Sequence, residues 1–377
     1  MRGSLSPPLL CRSRTPTSIV FPFADDAAGL LFGGETLLQL QERSARECGL
    51  QVVDVDDDAP LPEGAAAFVA RDVVFSAATL RALLQHGLSS PVRAVVKSGT
   101  TLFEASTRLL EVNAVDLALP LWAGKLAGLH PGKLEGKDVV VADEDGAVVV
   151  DTSPLGVAPH QLLVADVERL LGRPTHWLHV LELSLAAART RLRAHHPVER
   201  RGKRSPRVHP TAYIANSILG AGVRVEAHAS VIDSVIGDDV IVADHTVIHS
   251  SVIGERCRTL VDTHLRRVVA MPGSTLSNLD MQDAIFGREV FVTTGVAFFH
   301  DGPGRNVVVD GKDSGRAVLG GAIGARSVLG SRALFRCGVA LPSRLLVVAR
   351  PEEAVGKFDE LSMSRAAVRL GDRGRDV

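Results

Sequence analysis

Residues 216–254 read NSILGAGVRVEAHASVIDSVIGDDVIVADHTVIHSSVIG, and this stretch contains one pentapeptide pattern three times. The copies begin at Asn216, Asp233 and Ser250, so the spacing is 17 residues both times. Aliphatic residues recur here at intervals of six, six and five, and between residues 323 and 347 apolar residues recur at a strict interval of six. Neither the period of an amphipathic helix nor the two-residue period of an ordinary strand describes this pattern.

This period indicates a parallel β-helix with triangular coils. Each six-residue unit forms one flat face and a corner, and its aliphatic residue points into the prism; three faces make a turn of about 18 residues. No coil can bury its apolar face alone, so stacked coils must form the core. We therefore expect nine repeat positions to be buried inside the prism: Val225, Val231, Ile236, Val242, Ile248, Ile253, Ile323, Leu329 and Leu341.

The hexads resemble those of the hexapeptide-repeat proteins, which have a left-handed parallel β-helix. The N/D-S-V-I-G form is similar to the C-terminal β-helix of sugar-nucleotide pyrophosphorylases, including the bifunctional N-acetylglucosamine-1-phosphate uridyltransferases. The resemblance covers residues 208–300 and 317–350. Residues 300–316, HDGPGRNVVVDGKDSGR, break the period, so we expect a loop ejected from one corner. Just before it, Phe298 should point into the prism and Phe299 outward, toward the loop or a neighbouring subunit.

Before the prism, strand-like and helix-like patterns alternate, which is typical of an α/β domain with a parallel sheet. The fold class is therefore α/β plus all-β. Helices are predicted at 35–48, 77–84 and 176–193, and strands at 51–55, 66–70, 92–96, 116–119 and 138–142. The predicted organisation is a disordered leader over 1–16, a nucleotidyltransferase-like α/β domain over 17–188, a basic linker over 189–207, the β-helix over 208–350 and a tail over 351–377.

An α/β domain followed by this β-helix resembles the sugar-phosphate nucleotidyltransferases. LFGGETLL at 31–38 is similar to the family's GGKPLL motif, and ARDVVF at 70–75 is similar to its GDxxF/L motif, whose aspartate holds Mg²⁺. The resemblance implies that Asp72 is a metal ligand; a helix N-cap or a turn residue is the alternative. Lys97 follows the strand 92–96, where it would contact a substrate phosphate or lie at an exposed strand end.

The activating loop of that family, LxAGxGTRLxPLT…PK, has no counterpart here. The interval that should contain it reads FADDAAGL at 23–30, with one glycine and without arginine or lysine. Nucleotidyl transfer needs backbone N–H groups around the triphosphate and a cation that stabilises the leaving pyrophosphate. We therefore expect nucleotidyl transfer to be very weak or absent.

The histidines of the prism suggest a different chemistry, because acyltransferases with this fold use a histidine as general base on a sugar hydroxyl or amine. DTHL at 262–265 is similar to the VNHL of the acetyltransferase half of the uridyltransferases, which implies that His264 is the base. His300 is the second candidate base, and Asp301 beside it is a candidate substrate contact. A surface position at a coil corner is the alternative for each histidine. His228 and His245 lie 17 residues apart and are expected to stack as a ladder.

Composition restricts the remaining classes. The chain has 42 basic and 43 acidic residues among 377, which argues against a nucleic-acid partner. No apolar run is long enough for a membrane span, and four dispersed cysteines fit a reducing cytoplasm. Three functions stay open: sugar-nucleotide or envelope-polysaccharide metabolism with impaired nucleotidyl transfer, acyl transfer from acyl-coenzyme A to a sugar or sugar nucleotide, and non-catalytic binding. The implied partners are a sugar phosphate or nucleotide sugar and, as in related trimers, further copies of the chain.

Overall fold

The computed structural model describes residues 7–17, 19–23, 25–97, 117–142, 147–150, 162–165, 168–194, 198–200, 204–277, 280–298, 306–330 and 332–347. Within these ranges the chain forms an α/β half, which ends at Arg193, and a prism that begins at Val198. No helix among the described residues is long and apolar enough to cross a membrane.

The α/β half is built on a six-stranded sheet in the order β4-β1-β5-β8-β7-β9. The described strands of the α/β half, which include the six of this sheet and those of smaller two-stranded sheets, are β1 Leu9–Ser13, β2 Leu31–Phe32, β3 Glu35–Thr36, β4 Gln51–Val55, β5 Ala65–Val69, β6 Val74–Phe75, β7 Val92–Val96, β8 Leu117–Ala123, β9 Lys137–Ala142, β10 Ala147–Val150, β11 Leu162–Ala165 and β12 Leu171–Gly172. The sheet is mixed, because β8 is antiparallel to both neighbours, whereas the other pairs are parallel. The expectation of an all-parallel sheet is therefore wrong at β8.

The described residues form the helices α1 Leu37–Glu47, α2 Ala77–His86 and α3 Trp177–Arg193. Helices α1 and α2 contact strands of the six-stranded sheet, whereas α3 contacts β2, β11 and the prism. Short 3-10 helices lie at Ala27–Gly29 and Pro131–Lys133. The start of α1 is fixed by a capping box, in which Thr36 accepts from the amide of Gln39 and the Gln39 side chain accepts from the amide of Thr36. All three helices lie where the sequence predicts them.

The start of the chain differs from the prediction of a disordered leader over 1–16. Strand β1 lies inside the sheet, paired with β4 on one side and β5 on the other. Arg12 is only 5% exposed on this strand and binds Asp54 at 2.6 Å and Glu42 at 3.4 Å. An arginine in a five-residue strand interrupts the hydrophobic pattern by which a strand is recognised in the sequence. In the fold its charge is neutralised by its carboxylate partners.

The basic stretch 189–207 is not a linker over its whole length. Its first residues form the last turns of α3, and Val198–Arg200 forms the first strand of the prism, paired in parallel with Ser217–Leu219. Arg191 is buried, and its Nη1 donates to the carbonyl oxygen of Gly33. The run of arginines therefore includes a helix end that packs against the α/β half.

Three parallel sheets form the faces of the prism, as expected for a left-handed β-helix. We call the first the covered face; its strands are Val198–Arg200, Ser217–Leu219, Val235–Ile236, Val252–Ile253, Val269–Ala270, Ile285–Phe286, Ala322–Ile323 and Ala340–Leu341. The arginine face comprises Arg207–Val208, Arg224–Val225, Ile241–Val242, Arg258–Thr259, Thr275–Leu276, Phe291–Val292, Val328–Leu329 and Leu346–Val347. The histidine face comprises Tyr213–Ala215, Ser230–Ile232, Val247–His249, His264–Arg266 and Met281–Gln282, followed by the pair Ala297–Phe298 and Leu334–Phe335.

The inward positions agree with the sequence period. Eight of the nine predicted side chains are at most 2% exposed, and Leu341 is half-buried in the last complete coil. Phe298 also points inward, as predicted; its ring stacks on Phe335 at 4.9 Å and meets Phe286 edge-on at 6.0 Å. Phe299 lies outside the described residues.

The outward residues of the covered face join the two halves of the molecule. Ile218, Val235, Val252 and Val269 are at most 3% exposed and belong to the same apolar core as α3 and the sheet of the α/β half. At about 25 cal/mol per Å² of apolar surface, this continuous burial favours a fixed arrangement of the halves.

A buried ion cluster reinforces this contact. Arg267, 1% exposed at a corner of the prism, donates to Glu182 of α3 at 2.7 Å and to Asp283 of the next coil at 2.6 Å. Arg316 donates to the same oxygen of Glu182 at 2.6 Å. Burial raises the pKa of Glu182, but the charges and hydrogen bonds of Arg267 and Arg316 outweigh it, so the pKa lies below its usual value.

Candidate active site

Two places in the fold contain the predicted site residues. The first is the carboxyl edge of the six-stranded sheet, where Asp72 follows β5 and Lys97 follows β7. The structure brings both to the same edge, because β5 and β7 both run antiparallel to β8. With β8 between them, the two strands lie about 10 Å apart.

Asp72 lies in a turn and already has a cationic partner. Arg173 donates to Asp72 Oδ2 at 2.7 Å, and the Asp72 side chain is 13% exposed. The N-cap of α2 is Ser76, so Asp72 does not cap the helix. Within the part of the chain that the structure describes, no group of three or more His, Cys, Asp or Glu side chains could hold a metal ion. Lys97 is exposed and takes part in an interaction with another group of the protein.

Residues 25–30 belong to the interval in which the sequence resemblance would place a triphosphate loop, and they contact the prism. Arg288 of the prism donates to Asp25 at 2.7 Å and to the carbonyl oxygen of Gly29 at 2.6 Å. The single turn Ala27–Gly29 is capped by Asp26, whose side chain accepts from the amide of Gly29. The backbone amide of Gly29 is therefore engaged within the turn, and the segment's carboxylate and carbonyl face a prism arginine.

The second place is the histidine face, where His264 opens a strand and is exposed. The register places His264 beside Val247 and Arg266 beside His249 on the neighbouring coil. Alternate residues of a strand share one side, so His249, His264 and Arg266 all project from the outer surface of this face. Arg266 is 7% exposed and donates to Gln282 of the next coil at 3.2 Å.

His249 lies on the strand next to His264, and most of its surroundings come from distant parts of the chain. Its Nε2 lies 4.0 Å from Asp233 of the preceding coil. Burial lowers the pKa of His249, and Arg266 and Arg189 lower it further, whereas Asp233 raises it. The net shift is downward, so this imidazole is neutral at pH 7. The contact with Asp233 does have a sequence signal. A coil has 17 residues here, and His249 follows Asp233 by 16, so the two residues are near neighbours on successive coils.

His228 and His245 form the stacked ladder that the sequence predicts. Their rings are 5.3 Å apart and inclined by 7°. His245 also lies 3.6 Å from the exposed carboxylate of Asp262. The two rings lie at a corner of the prism and not on the strands of the histidine face, which makes His228 a suitable control position.

The segment predicted to be a loop over 300–316 follows the strand Ala297–Phe298 in the sequence, and the structure describes it from residue 306 onward. His300 and Asp301 lie outside the described residues. The later part forms a hairpin, Val308–Val309 with Lys312–Asp313, that returns to α3. The carboxylate of Asp310 lies 3.2 Å from His176 Nε2. Val309 is buried in the apolar core that the two halves share. The coil pairing resumes directly from Ile285–Phe286 to Ala322–Ile323.

Comparison with known proteins supports the assignment of the prism. Residues 208–266 match the model of a family described as "GlmU-like, C-terminal hexapeptide", and His249 and His264 lie within the match. The C-terminal half thus contains a GlmU-like hexapeptide-repeat domain. No curated protein matches the chain.

Two solved structures from Caulobacter crescentus align over most of the chain. One is a histidine-to-asparagine variant of perosamine N-acetyltransferase in complex with CoA and GDP-perosamine, with 15% identity, 92% of this chain and 97% of that chain covered, and a TM-score of 0.18. The other is PerB with the same ligands, with 16% identity, coverage of 92% and 98%, and a TM-score of 0.15. Superpositions with TM-scores this low do not bear on fold or activity.

Proposed function

We propose that the protein acts in sugar-nucleotide metabolism as an acyltransferase, with acyl-coenzyme A as donor and a sugar or sugar nucleotide as acceptor. The observation that carries the proposal is the clustering of His264, His249 and Arg266 on two neighbouring coils of the histidine face, with Arg266 in register with His249. The family match over 208–266 includes all three residues. The fixed segment 25–30 favours this function over nucleotidyl transfer.

In the proposed reaction His264 is the general base. It takes a proton from an amine or hydroxyl of the acceptor, whose nitrogen or oxygen attacks the thioester carbonyl. The C–S bond then breaks, and the thiolate of coenzyme A leaves and takes up the proton. Base catalysis of this kind contributes about 10²- to 10⁴-fold to a rate.

Arg266 supplies the positive charge of this face. Its guanidinium is held by Gln282, and it lies beside His249 in the coil stack. A fixed cation favours both an anionic sugar nucleotide and the oxyanion of the tetrahedral intermediate. His300 and Asp301, which follow Phe298 closely in the sequence, are proposed as a further contact to the acceptor.

Release of free thiol from acetyl-coenzyme A tests this function, with glucosamine 1-phosphate and GDP-perosamine as acceptors. We expect acceptor-dependent thiol release by the wild type and a loss of about 100-fold or more in His264→Ala. His228→Ala is the matched control, because it removes an exposed histidine from the corner ladder and should leave the rate unchanged. A rate in His264→Ala equal to that of the wild type would contradict the proposal. Calorimetry that shows no binding of coenzyme A to the wild type would do the same.

We also propose that the site is completed between subunits of a trimer. Light scattering should then give about three times the chain mass of 40.0 kDa. Phe299→Ala, next to the loop, should weaken the assembly. A wild-type monomer would contradict the intersubunit site and leave His264 to act within one chain.

A further inference from the structure

A cavity of about 550 Å³ lies between helix α1 and the prism, away from the histidine face. We call it the interdomain cleft. One wall is the α/β half and the other is the covered face at its corner, so the cleft exists only because the halves are docked. Its volume is within the range of about 300–1,000 Å³ that is usual for sites that bind small molecules.

The helix wall is a polar face of α1. Gln39, Arg43 and Arg46 are separated by four and three residues, which places them on one side of the helix. Arg43 is held in place by Glu35 and Glu47, each at 2.9 Å. Arg46 is exposed, and its guanidinium makes no hydrogen bond or ion pair with any residue that the structure describes. The helix therefore presents one fixed and one available guanidinium to the cavity.

The prism wall contains two glycines, Gly220 and Gly237, at equivalent corners of successive coils. A Cβ atom on either would lie 2.6 Å from a backbone nitrogen of the next coil, so close stacking requires glycine at both positions. As a result, this part of the floor is bare backbone. Asp238 and Glu255 lie beside it and offer carboxylate oxygens as acceptors for hydroxyl groups.

Arg191 and Arg288 bring the number of guanidinium groups around the cleft to four. Glu42, which also lines the cleft, is bonded to Arg12, and Glu35 is bonded to Arg43. Glu255 pairs with Arg256 at 2.6 Å. Because these carboxylates already have cationic partners, Arg46 remains the charge that an incoming ligand can neutralise.

We propose that the interdomain cleft binds a phosphorylated sugar. The phosphate would bind Arg46 and Arg43, because guanidinium groups form charge-assisted hydrogen bonds with phosphate oxygens. The sugar hydroxyls would lie against the glycine floor and donate to Asp238 and Glu255. Such a ligand touches both halves, so it would stabilise the docked arrangement.

Isothermal titration calorimetry of the full chain with glucose 1-phosphate tests this site. We expect saturable binding to the wild type, a Kd increased about tenfold or more in Arg46→Ala, and a larger increase in Arg46→Glu. Arg332→Ala, which removes an exposed arginine from a distant coil, is the control and should leave the Kd unchanged. His264→Ala should also bind normally, which separates this site from the proposed acyl transfer.

Several results would overturn the assignment. Absence of binding to the wild type would do so, and so would an unchanged Kd in both Arg46 variants, since the ligand would then bind elsewhere. Inorganic phosphate or unphosphorylated glucose that binds as tightly as glucose 1-phosphate would contradict a site for a phosphorylated sugar. None of these results depends on whether acyl transfer is observed.

Discussion

The covered face and the arginine face belong to the same coils, and their inward residues fill the same core. Their outward residues differ. Ile218, Val235 and Val252 follow one another on the covered face, whereas Arg207 and Arg224 stack in register on the arginine face. The first column is buried under α3, and the arginines of the second are exposed.

The difference shows that the repeat determines the prism, while the outward column determines what the prism binds. An apolar column one residue wide helps to attach the α/β half, because each coil adds another buried side chain. Stacked arginines cannot be covered in the same way without an anionic partner. On the histidine face His264 remains exposed.

The largest expected effect on the unfolding free energy comes from a charge placed at an inward position of a coil, compared with the same charge at an outward position. Ile236→Asp places an unpaired charge in the core and should cost about 4 kcal/mol or more of unfolding free energy. Ile241→Asp, in the same coil, is matched to it, since Ile241 lies on the arginine face between Arg224 and Arg258. Urea unfolding should show the second variant within about 0.5 kcal/mol of the wild type. Equal losses would mean that the inward and outward positions are assigned wrongly.

The next effect compares a buried ion pair with an exposed one. Glu182→Ala leaves Arg267 buried without its partner on α3 and should lower the unfolding free energy by about 3–5 kcal/mol. Glu289→Ala removes a pair with Arg326 of similar length, 2.9 Å, in which both side chains are about 60% exposed. That control should lose no more than about 1 kcal/mol in the same urea titration. A small loss in Glu182→Ala would indicate that the halves are not held together at this cluster.

A pH effect of intermediate size should come from His179 of α3. Burial, with help from His176 and Arg316, lowers the pKa of His179 from 6.5 to about 3. The unfolded chain therefore binds a proton below pH 6.5 that the folded protein does not, so stability is full above that pH and falls as the pH decreases. Between pH 7 and pH 5 this group should remove about 2 kcal/mol.

His179→Asn tests the assignment, because an asparagine amide can keep the contact with Thr175, now 3.1 Å from His179 Nδ1. The unfolding free energy should fall between pH 7 and pH 5 in both proteins, and the fall should be about 2 kcal/mol smaller in the variant than in the wild type. The same pH dependence in both proteins would show that this histidine is accessible to protons.

The smallest expected effect is on the arginine face. Arg224→Glu replaces an in-register pair of like charges, Arg207 beside Arg224, with a pair of opposite charges. The change should stabilise the fold by about 0.2–1 kcal/mol, measured by urea unfolding at low salt. A loss of about 2 kcal/mol or more would mean that this face is covered in solution, as the covered face is.

The inside of the prism could be predicted from the sequence because the period itself specifies which residues point inward. The docking could not be predicted from the period, although a signal existed at one position of the repeat. The corner residues Asn216, Asp233 and Ser250 are followed in the next coil by Arg267. A charged residue at a small polar position indicates a partner, but the partner, Glu182, is 85 residues away in the chain.

The candidate site on the histidine face was also predictable only in part. Resemblance to a short motif picked out His264, whereas the lowered pKa of His249 depends on burial and on an arginine from α3, which no local pattern shows. Strand β1 escaped prediction for the same reason, since Arg12 is neutralised by residues from β4 and α1. In each case residues that are distant in the sequence change the charge or the pKa that matters for the side chain in the fold.

We expect residues 25–30 to keep a fixed contact with the prism and not to close on a nucleoside triphosphate. Hydrogen–deuterium exchange of the peptide that contains Gly29, Leu30 and Leu31 tests this expectation most directly. These amides donate within the turn or to Met271 of the prism, so they should exchange slowly in the unliganded protein. Addition of UTP and Mg²⁺ should leave their exchange unchanged. Rapid exchange that becomes slow when UTP and Mg²⁺ are added would contradict the account.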